Sequence, residues 1–278
     1  MSAPAFEERV GRAAGALHGS VGTVRLAAGD QLDAHLHSFE ELVYVLAGAP
    51  LLALEEGCFA LAPNQAVRLG PGEAHAWSNP GTEAASWIEL QAPPARPPGA
   101  PPDTVTVDDL AVAAAEPVDP ADPRRQRFGR WREDGSDSPL LALPGITASM
   151  VIDERQGAVQ ARTFMIDFAA GTKLAAHDHP FEETFYVLEG ECEWHVGEKT
   201  IRAMPGTYLF IPPGVPHNIA NVSKTPARVL MTVSPPGHEH YFEELAKLAA
   251  RGVPDPKELA DLRARCDTDQ LSTLTTRA

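Results

Sequence analysis

Six histidines and two glutamates carry the chemistry available to this chain, because they recur at matched spacings in its two halves. Gly29 is followed by His35, His37, Glu41 and Gly48, and Gly171 by His177, His179, Glu183 and Gly190. Further along, His75 and Asn79 are answered by His217 and Asn221. Each pair is separated by 142 residues, and so are Pro93-Pro94 and Pro235-Pro236. A register held this long without an insertion indicates two copies of one structural unit. Each copy offers His, His, Glu and His, a mixed nitrogen and oxygen donor set that suits iron, manganese, nickel, copper or zinc. One divalent transition ion is therefore expected per copy. Four protein donors on an octahedral ion leave two positions for water, dioxygen or a bidentate substrate, and open positions mark a catalytic centre rather than a structural one.

Positioning these groups calls for strands. Side chains alternate along a strand, so His35 and His37 share one face, as do His177 and His179. Glu183 follows His179 by four residues, enough for the chain to turn and return a carboxylate from the next strand. His217 comes from a distant strand set by the Pro212-Pro213-Gly214 turn. Val43–Leu46 and Phe185–Leu188 are short β-branched and aromatic runs that end at Gly48 and Gly190. Arg162–Phe168, Cys192–Val196 and Tyr208–Ile211 read as further strands, with Pro71-Gly72 and Pro205-Gly206 as punctuation. Many short strands with close turns predict an all-β protein of two small barrels rather than a parallel α/β sheet.

The remaining chain divides by composition. Residues 1–95 are expected to form an N-terminal domain and residues 141–240 a C-terminal one. Between them, residues 96–140 begin in a proline-rich linker and pass through Asp119-Pro120, Asp122-Pro123, Phe128, Trp131 and a DGSDS loop. This segment is expected to lie over one or both domains. Residues 241–278 read as a helical tail: Tyr241–Leu248 has helical spacing, and Asp255-Pro256-Lys257-Glu258 starts a second helix through about Arg265. Both helices are expected to pack outside the barrel in a structural role. Glu40 and Glu182 read as exposed strand-edge charges. His195, His238 and His240 match no ligand position and read as surface or tail residues, while Trp77 and Trp194 fill cores.

Bulk properties exclude several roles. The 278 residues suffice for two cores. A net charge of −15 argues against nucleic acid, whose phosphates need a basic face. No apolar run is long enough to span a bilayer, and Met1–Leu17 lacks the basic-then-apolar layout of a signal peptide. Three widely spaced cysteines, Cys58, Cys192 and Cys266, suggest neither a disulfide framework nor a zinc ribbon. A cytoplasmic protein acting on a small-molecule substrate is expected, with no membrane partner. Exposed barrel edges leave room for a homo-oligomer.

The residues quoted above resemble the cupin superfamily, whose motifs read G-(5)-H-x-H-(3 or 4)-E-(6)-G and G-(5)-P-x-G-(2)-H-(3)-N. The C-terminal copy matches both, the second through Gly206, Pro212, Gly214, His217 and Asn221. The N-terminal copy matches the first and departs from the second, with Asn64 for the first glycine and Gly70 for the proline. The resemblance covers residues 20–95 and 160–240 and implies two jelly-roll (double-stranded β-helix) barrels in tandem with short C-terminal helices. Among bicupins the chain is similar to quercetinase-like dioxygenases. That similarity implies metal ligands His35, His37, Glu41, His75, His177, His179, Glu183 and His217, with Glu183 also a catalytic base acting on an enolisable or aromatic substrate. Other bicupins and small cupins are aminohydrolases, isomerases or polyketide cyclases, and some cupins bind small molecules without catalysis. Those readings stand as alternatives.

Overall fold

Short β-branched runs closed by glycine and proline leave little room for helix, and the structure, a computed structural model, follows them. It describes residues 6–96, 99–108, 110, 116–117, 127–130 and 139–270. In chain order the first strands are β1 (Glu7–Val10), β2 (Ser20–Leu26), β3 (Gln31–His37), β4 (Glu40–Ala47), β5 (Leu51–Leu54) and β6 (Gly57–Ala60). Then come β7 (Gln65–Leu69), β8 (His75–Ser78), β9 (Ala85–Ala92), β10 (Thr104–Thr106), β11 (Glu116–Pro117) and β12 (Phe128–Arg130). The later strands begin with β13 (Leu141–Leu143), β14 (Ile146–Ile152), β15 (Arg162–Phe168), β16 (His177–Asp178), β17 (Glu182–Glu189) and β18 (Cys192–Val196). After these follow β19 (Lys199–Ala203), β20 (Tyr208–Ile211), β21 (His217–Ala220), β22 (Ala227–Ser234) and β23 (Asp269–Gln270). Helices α1 (His238–Ala249) and α2 (Pro256–Arg265) precede β23. No helix among the described residues is long and apolar enough to cross a membrane.

The described chain forms two compact units. One holds the residues up to 130 together with Val151–Gln160; the other holds Pro139–Met150 and the residues from Ala161 onward. The first unit has two six-stranded sheets, ordered β1-β2-β9-β4-β7-β12 and β10-β3-β8-β5-β6-β11. The second has sheets ordered β13-β14-β15-β22-β17-β20 and β19-β18-β21-β16-β23. Part of the segment between the repeats is sheet: Thr104–Thr106 pairs with β3 and Phe128–Arg130 with β7. Asp119-Pro120, Asp122-Pro123, Trp131 and the loop at 134–138 lie outside the described residues.

Each unit closes over its own core. In the first, Trp77 and Trp87 stack with ring centroids 4.7 Å apart among Leu52, Leu54, Phe59 and Val67. In the second, Phe164, Phe185 and Trp194 pack with Val187, Ile211 and Val229. Removing an aromatic side chain of this size from water contributes roughly 4–6 kcal/mol before ordering costs. The motif glycines hold the strands close. Gly48 and Gly190 have φ of +80° and +72°, and a Cβ at either would sit under 3 Å from the backbone of Ala85 or Ala227. Only glycine allows that approach without strain.

Candidate metal centres

Strand pairing assembles each centre. In the first unit the β3–β8 ladder sets His35 opposite His75, and β4 supplies Glu41 from the facing sheet. In the second, β16 and β21 set His177 opposite His217, and β17 supplies Glu183. Donor atoms of His37, Glu41 and His75 lie within 4.8 Å of one another, as do those of His177, His179 and His217. The fourth residue of each set stands beside its group. The His35 ring centroid is 4.3 Å from that of His75. Glu183 Oε2 is 3.2 Å from His179 Nε2 and 3.4 Å from His217 Nε2. The structure thus gathers all eight predicted residues, four in each unit.

The backbone decides what these imidazoles present. In all six histidines Nδ1 faces a carbonyl two residues away. His35 meets Asp33 at 2.8 Å, His37 meets Phe39 at 2.7 Å and His75 meets Glu73 at 3.0 Å. His177 meets Ala175 at 2.9 Å, His179 meets Phe181 at 3.2 Å and His217 meets Val215 at 2.8 Å. A carbonyl only accepts, so Nδ1 must be the donor, and in the neutral ring Nε2 becomes the lone pair. Lone pairs then converge beside a carboxylate: His37 Nε2 lies 2.8 Å and His75 Nε2 3.6 Å from Glu41 Oε2. The Nε2 atoms of His75, His179 and His217 are buried without a hydrogen-bond partner. Acceptors meeting acceptors in a buried site call for a cation, and neutral imidazoles locked through Nδ1 are the usual ligands of a transition ion. The residues present fit such an ion in both units.

The two centres differ in electrostatics. Burial pushes Glu41 up to about 8 and lowers His75 to about 2, His35 and His37 adding to the effect on His75. Burial also pushes nearby Glu89 up to about 8, with Glu41 adding repulsion. In the second unit a proton on His179 would stand in for that cation: Glu183 raises His179, and His179, ahead of His217 and His238, holds Glu183 well below the usual carboxylate range despite its burial. Burial and His217 lower His177 to about 4.

They differ in lining too. A cavity of about 150 Å³ adjoins the first centre, lined by its four candidate ligand residues, by Glu89 and Gln91, and by Phe6, Phe39 and Trp77 among others. Trp77 therefore serves both core and pocket. Gln91 Nε2 donates to Glu89 Oε1 at 2.7 Å, and Trp87 Nε1 donates to Glu89 Oε2 at 3.3 Å. At the matching positions of the second unit stand the buried Met231 and Val233. Sequence reasoning missed Glu89 and Gln91. Their signal was a carboxylate and an amide, two apart, on one face of strand β9, where the second repeat has methionine and valine.

Three expectations need correction. His238 is not a surface or tail residue: it is 4 % exposed, with Nε2 3.8 Å from Glu183 Oε1 and its ring 5.4 Å from that of His179. Helix α1 thus starts at the second centre instead of serving only as external packing. Glu40 and Glu182 are not exposed edge charges either, at 0 % and 4 %. β4 and β17 are interior strands of their sheets, so the residue before each ligand glutamate is covered on the opposite face. Glu40 accepts hydrogen bonds from the Val159 and Gln160 amides and from Arg68. His240, by contrast, is 71 % exposed, as expected.

Comparison with known proteins agrees with this architecture. The tetracenomycin polyketide synthase protein TcmJ of Streptomyces glaucescens is 29% identical over 122 residues, 44% of this chain and 80% of that protein. The uncharacterized protein MJ1618 of Methanocaldococcus jannaschii is 34% identical over 71 residues, 25% of this chain and 57% of that protein. Among solved structures, salicylate 1,2-dioxygenase from Pseudoaminobacter salicylatoxidans, in adducts with gentisate, superimposes with a TM-score of 0.65 at 15% identity. That match covers 82% of this chain and 71% of the other. Oxalate decarboxylase superimposes with a TM-score of 0.62 at 13% identity, covering 84% and 74%. At such identities the likeness is one of fold. The Cupin domain family matches residues 22–90 and again 164–233, together half of the chain, which therefore belongs to the cupin family as a bicupin.

Proposed function

We propose that this bicupin is a metal-dependent enzyme that oxidises an enolisable or aromatic small molecule with dioxygen. The observation that carries the reading is the locking of six imidazoles through Nδ1, which turns Nε2 lone pairs onto a buried carboxylate in each unit. His35, His37, Glu41 and His75 would hold one divalent ion, and His177, His179, Glu183 and His217 the other. A bound ion supplies Lewis-acid stabilisation of a substrate oxyanion.

The chain's own residues do the rest. The cavity at the first centre admits a small substrate, and Phe6, Phe39 and Trp77 offer apolar faces to a ring while excluding water. Glu41 lines that cavity, where its carboxylate can accept the proton of an enol or phenol. The resemblance to quercetinase-like dioxygenases implied this base role for Glu183; Glu41 is its counterpart in the first repeat and lines the cavity. Glu89 and Gln91 stand where they can hydrogen-bond a second polar group of the substrate.

A second reading, a non-oxidative cyclase or isomerase, draws support from the similarity to a polyketide synthase protein. The discriminating experiment pairs metal content with oxygen uptake. Protein purified without chelator should carry about two ions per chain, with about one left in either His217→Ala or His75→Ala. Oxygen consumption with a panel of hydroxybenzoates, flavonols and β-diketones should then be lost in His75→Ala. Turnover without oxygen uptake favours the second reading, and turnover that survives removal of the metal sinks the metal-dependent one.

A further inference from the structure

His238 has no counterpart in the repeat: the position 142 residues earlier is Arg96, which is exposed. Its place is nonetheless built. Glu239, buried beside it, accepts from Arg162 Nε at 3.0 Å and from the Gly237 amide at 2.8 Å, pinning the first turn of α1 to β15. The His238 ring is held among Phe181, Tyr241 and Phe242, with centroids 5.1, 5.7 and 4.5 Å away. Pinning and packing together aim Nε2 at Glu183 Oε1, while Glu183 Oε2 faces His179 and His217.

One difference separates His238 from the six ligand histidines. Each of those donates Nδ1–H to a carbonyl and so has its tautomer fixed. His238 Nδ1 is buried with no partner, so no carbonyl draws the proton to that nitrogen. The ring can carry its proton on Nε2 and turn an N–H toward the carboxylate 3.8 Å away, an electrostatic contact longer than a hydrogen bond. A donor facing the carboxylate is a group that orients a ligand, as outer partners of metal ligands do.

Resting on the metal reading above, we propose that His238 is a positioning residue of the second centre. It holds the Glu183 oxygen turned away from the imidazoles, so that this carboxylate serves as a retained ligand and its far side is closed to a substrate proton. The first centre has a cavity at Glu41. The two repeats then divide the work: the second centre retains its ion, and the first receives substrate.

The test isolates each centre with cobalt(II) as the probe, using His75→Ala to leave the second and His217→Ala to leave the first. His238→Phe keeps the packing and removes both nitrogens, whereas His238→Gln keeps a donor. In the His75→Ala background, His238→Phe should release cobalt to EDTA on the order of tenfold to a hundredfold faster and shift the cobalt visible spectrum. His238→Gln should recover part of both. In the His217→Ala background neither change should alter release. Unchanged release and spectrum in a folded His238→Phe protein would overturn the proposal while leaving the metal reading intact. Equal acceleration at both centres would also overturn it, as a general packing defect. A parent chain that binds no cobalt at either centre overturns both.

Discussion

Glu40 offers a sharp test of how the first unit holds its shape around Glu41. Its carboxylate, 0 % exposed, accepts from the Val159 amide at 3.0 and 3.1 Å and from the Gln160 amide at 3.1 Å. Arg68 adds longer contacts of 3.3 and 3.4 Å from a partly exposed guanidinium. Hydrogen bonds to a charged group are worth about 1.5–3 kcal/mol each, and a partly exposed ion pair 0–1 kcal/mol. Taking the lower value for each of the two amides, Glu40→Ala should cost about 3 kcal/mol of local stability, a factor of roughly 100 in the opening equilibrium of residues 159–160. Hydrogen exchange read by mass spectrometry on a peptide spanning these amides measures that directly. Exchange should accelerate by about two orders of magnitude in Glu40→Ala. It should accelerate less in Glu40→Gln, which keeps one acceptor oxygen. Exchange within about threefold of the parent in both variants would refute the inference that this carboxylate, and not packing alone, fixes the segment.

Other perturbations give equally definite expectations. Metal-free protein should be most thermostable between about pH 4.5 and 6.5, the unfolded values of its carboxylates and imidazoles, and should lose stability on either side because two sets of shifts oppose each other. His75 and His238, lowered by burial to about 2 and about 3, favour the native state above their unfolded value of 6.5 and lose that contribution as pH falls. Glu41 and Glu89, raised to about 8, favour it at low pH and lose their contribution as pH rises through 8. A melting temperature climbing steadily from pH 5 to 9 would contradict this. Added divalent ion should stabilise by about 2.7 kcal/mol per site at a hundredfold excess over Kd, more strongly as pH rises, because the ligands must shed protons. Gly190→Ala should cost about 2–4 kcal/mol through positive φ and the backbone of Pro226 and Ala227, and a melting temperature within 1–2 °C of the parent would refute it. Replacing Glu89 and Gln91 together by Met and Val, the residues of the second repeat, should preserve metal content while weakening turnover. Unchanged KM and kcat would remove both from the site.

Much of this was legible in the sequence, for identifiable reasons. Arg162–Phe168, Cys192–Val196 and Tyr208–Ile211 have in the structure the ends read from their residues: Gly197 and Pro212 directly stop the second and third runs, and Gly171 follows closely after the first. The first turn of α2 was legible through Asp255, which accepts from the Lys257 and Glu258 amides, and through Pro256 at the first helical position. The residues proposed as ligands could be picked out because a repeat marks shared positions. The same device hides whatever lies outside the repeat. His238 falls where the first copy has Arg96, so comparing copies gives no signal for it. Glu40 and Glu182 do recur, but charge at a strand start reads as exposure unless one knows that both strands are interior to their sheets. The edge strands at 104–106 and 128–130 were hidden by a polar, proline-rich setting, since pairing along an edge depends on backbone groups more than on composition.

The repeat also sharpens the argument about function. Duplication kept what a metal needs: cross-strand histidine pairs at His35–His75 and His177–His217, and a carbonyl behind every ligand imidazole. Those features are alike in both units, so they cannot explain a difference in chemistry between them. What differs is what surrounds them. One carboxylate shares its cavity with Glu89 and Gln91. The other faces a histidine anchored through a buried Arg162–Glu239 pair. A buried ion pair costs desolvation of both charges, and it is better explained by what it positions than by the stability it adds. Here it positions the helix start that carries His238, beside Glu183 Oε1, the oxygen other than the one that faces His179 and His217.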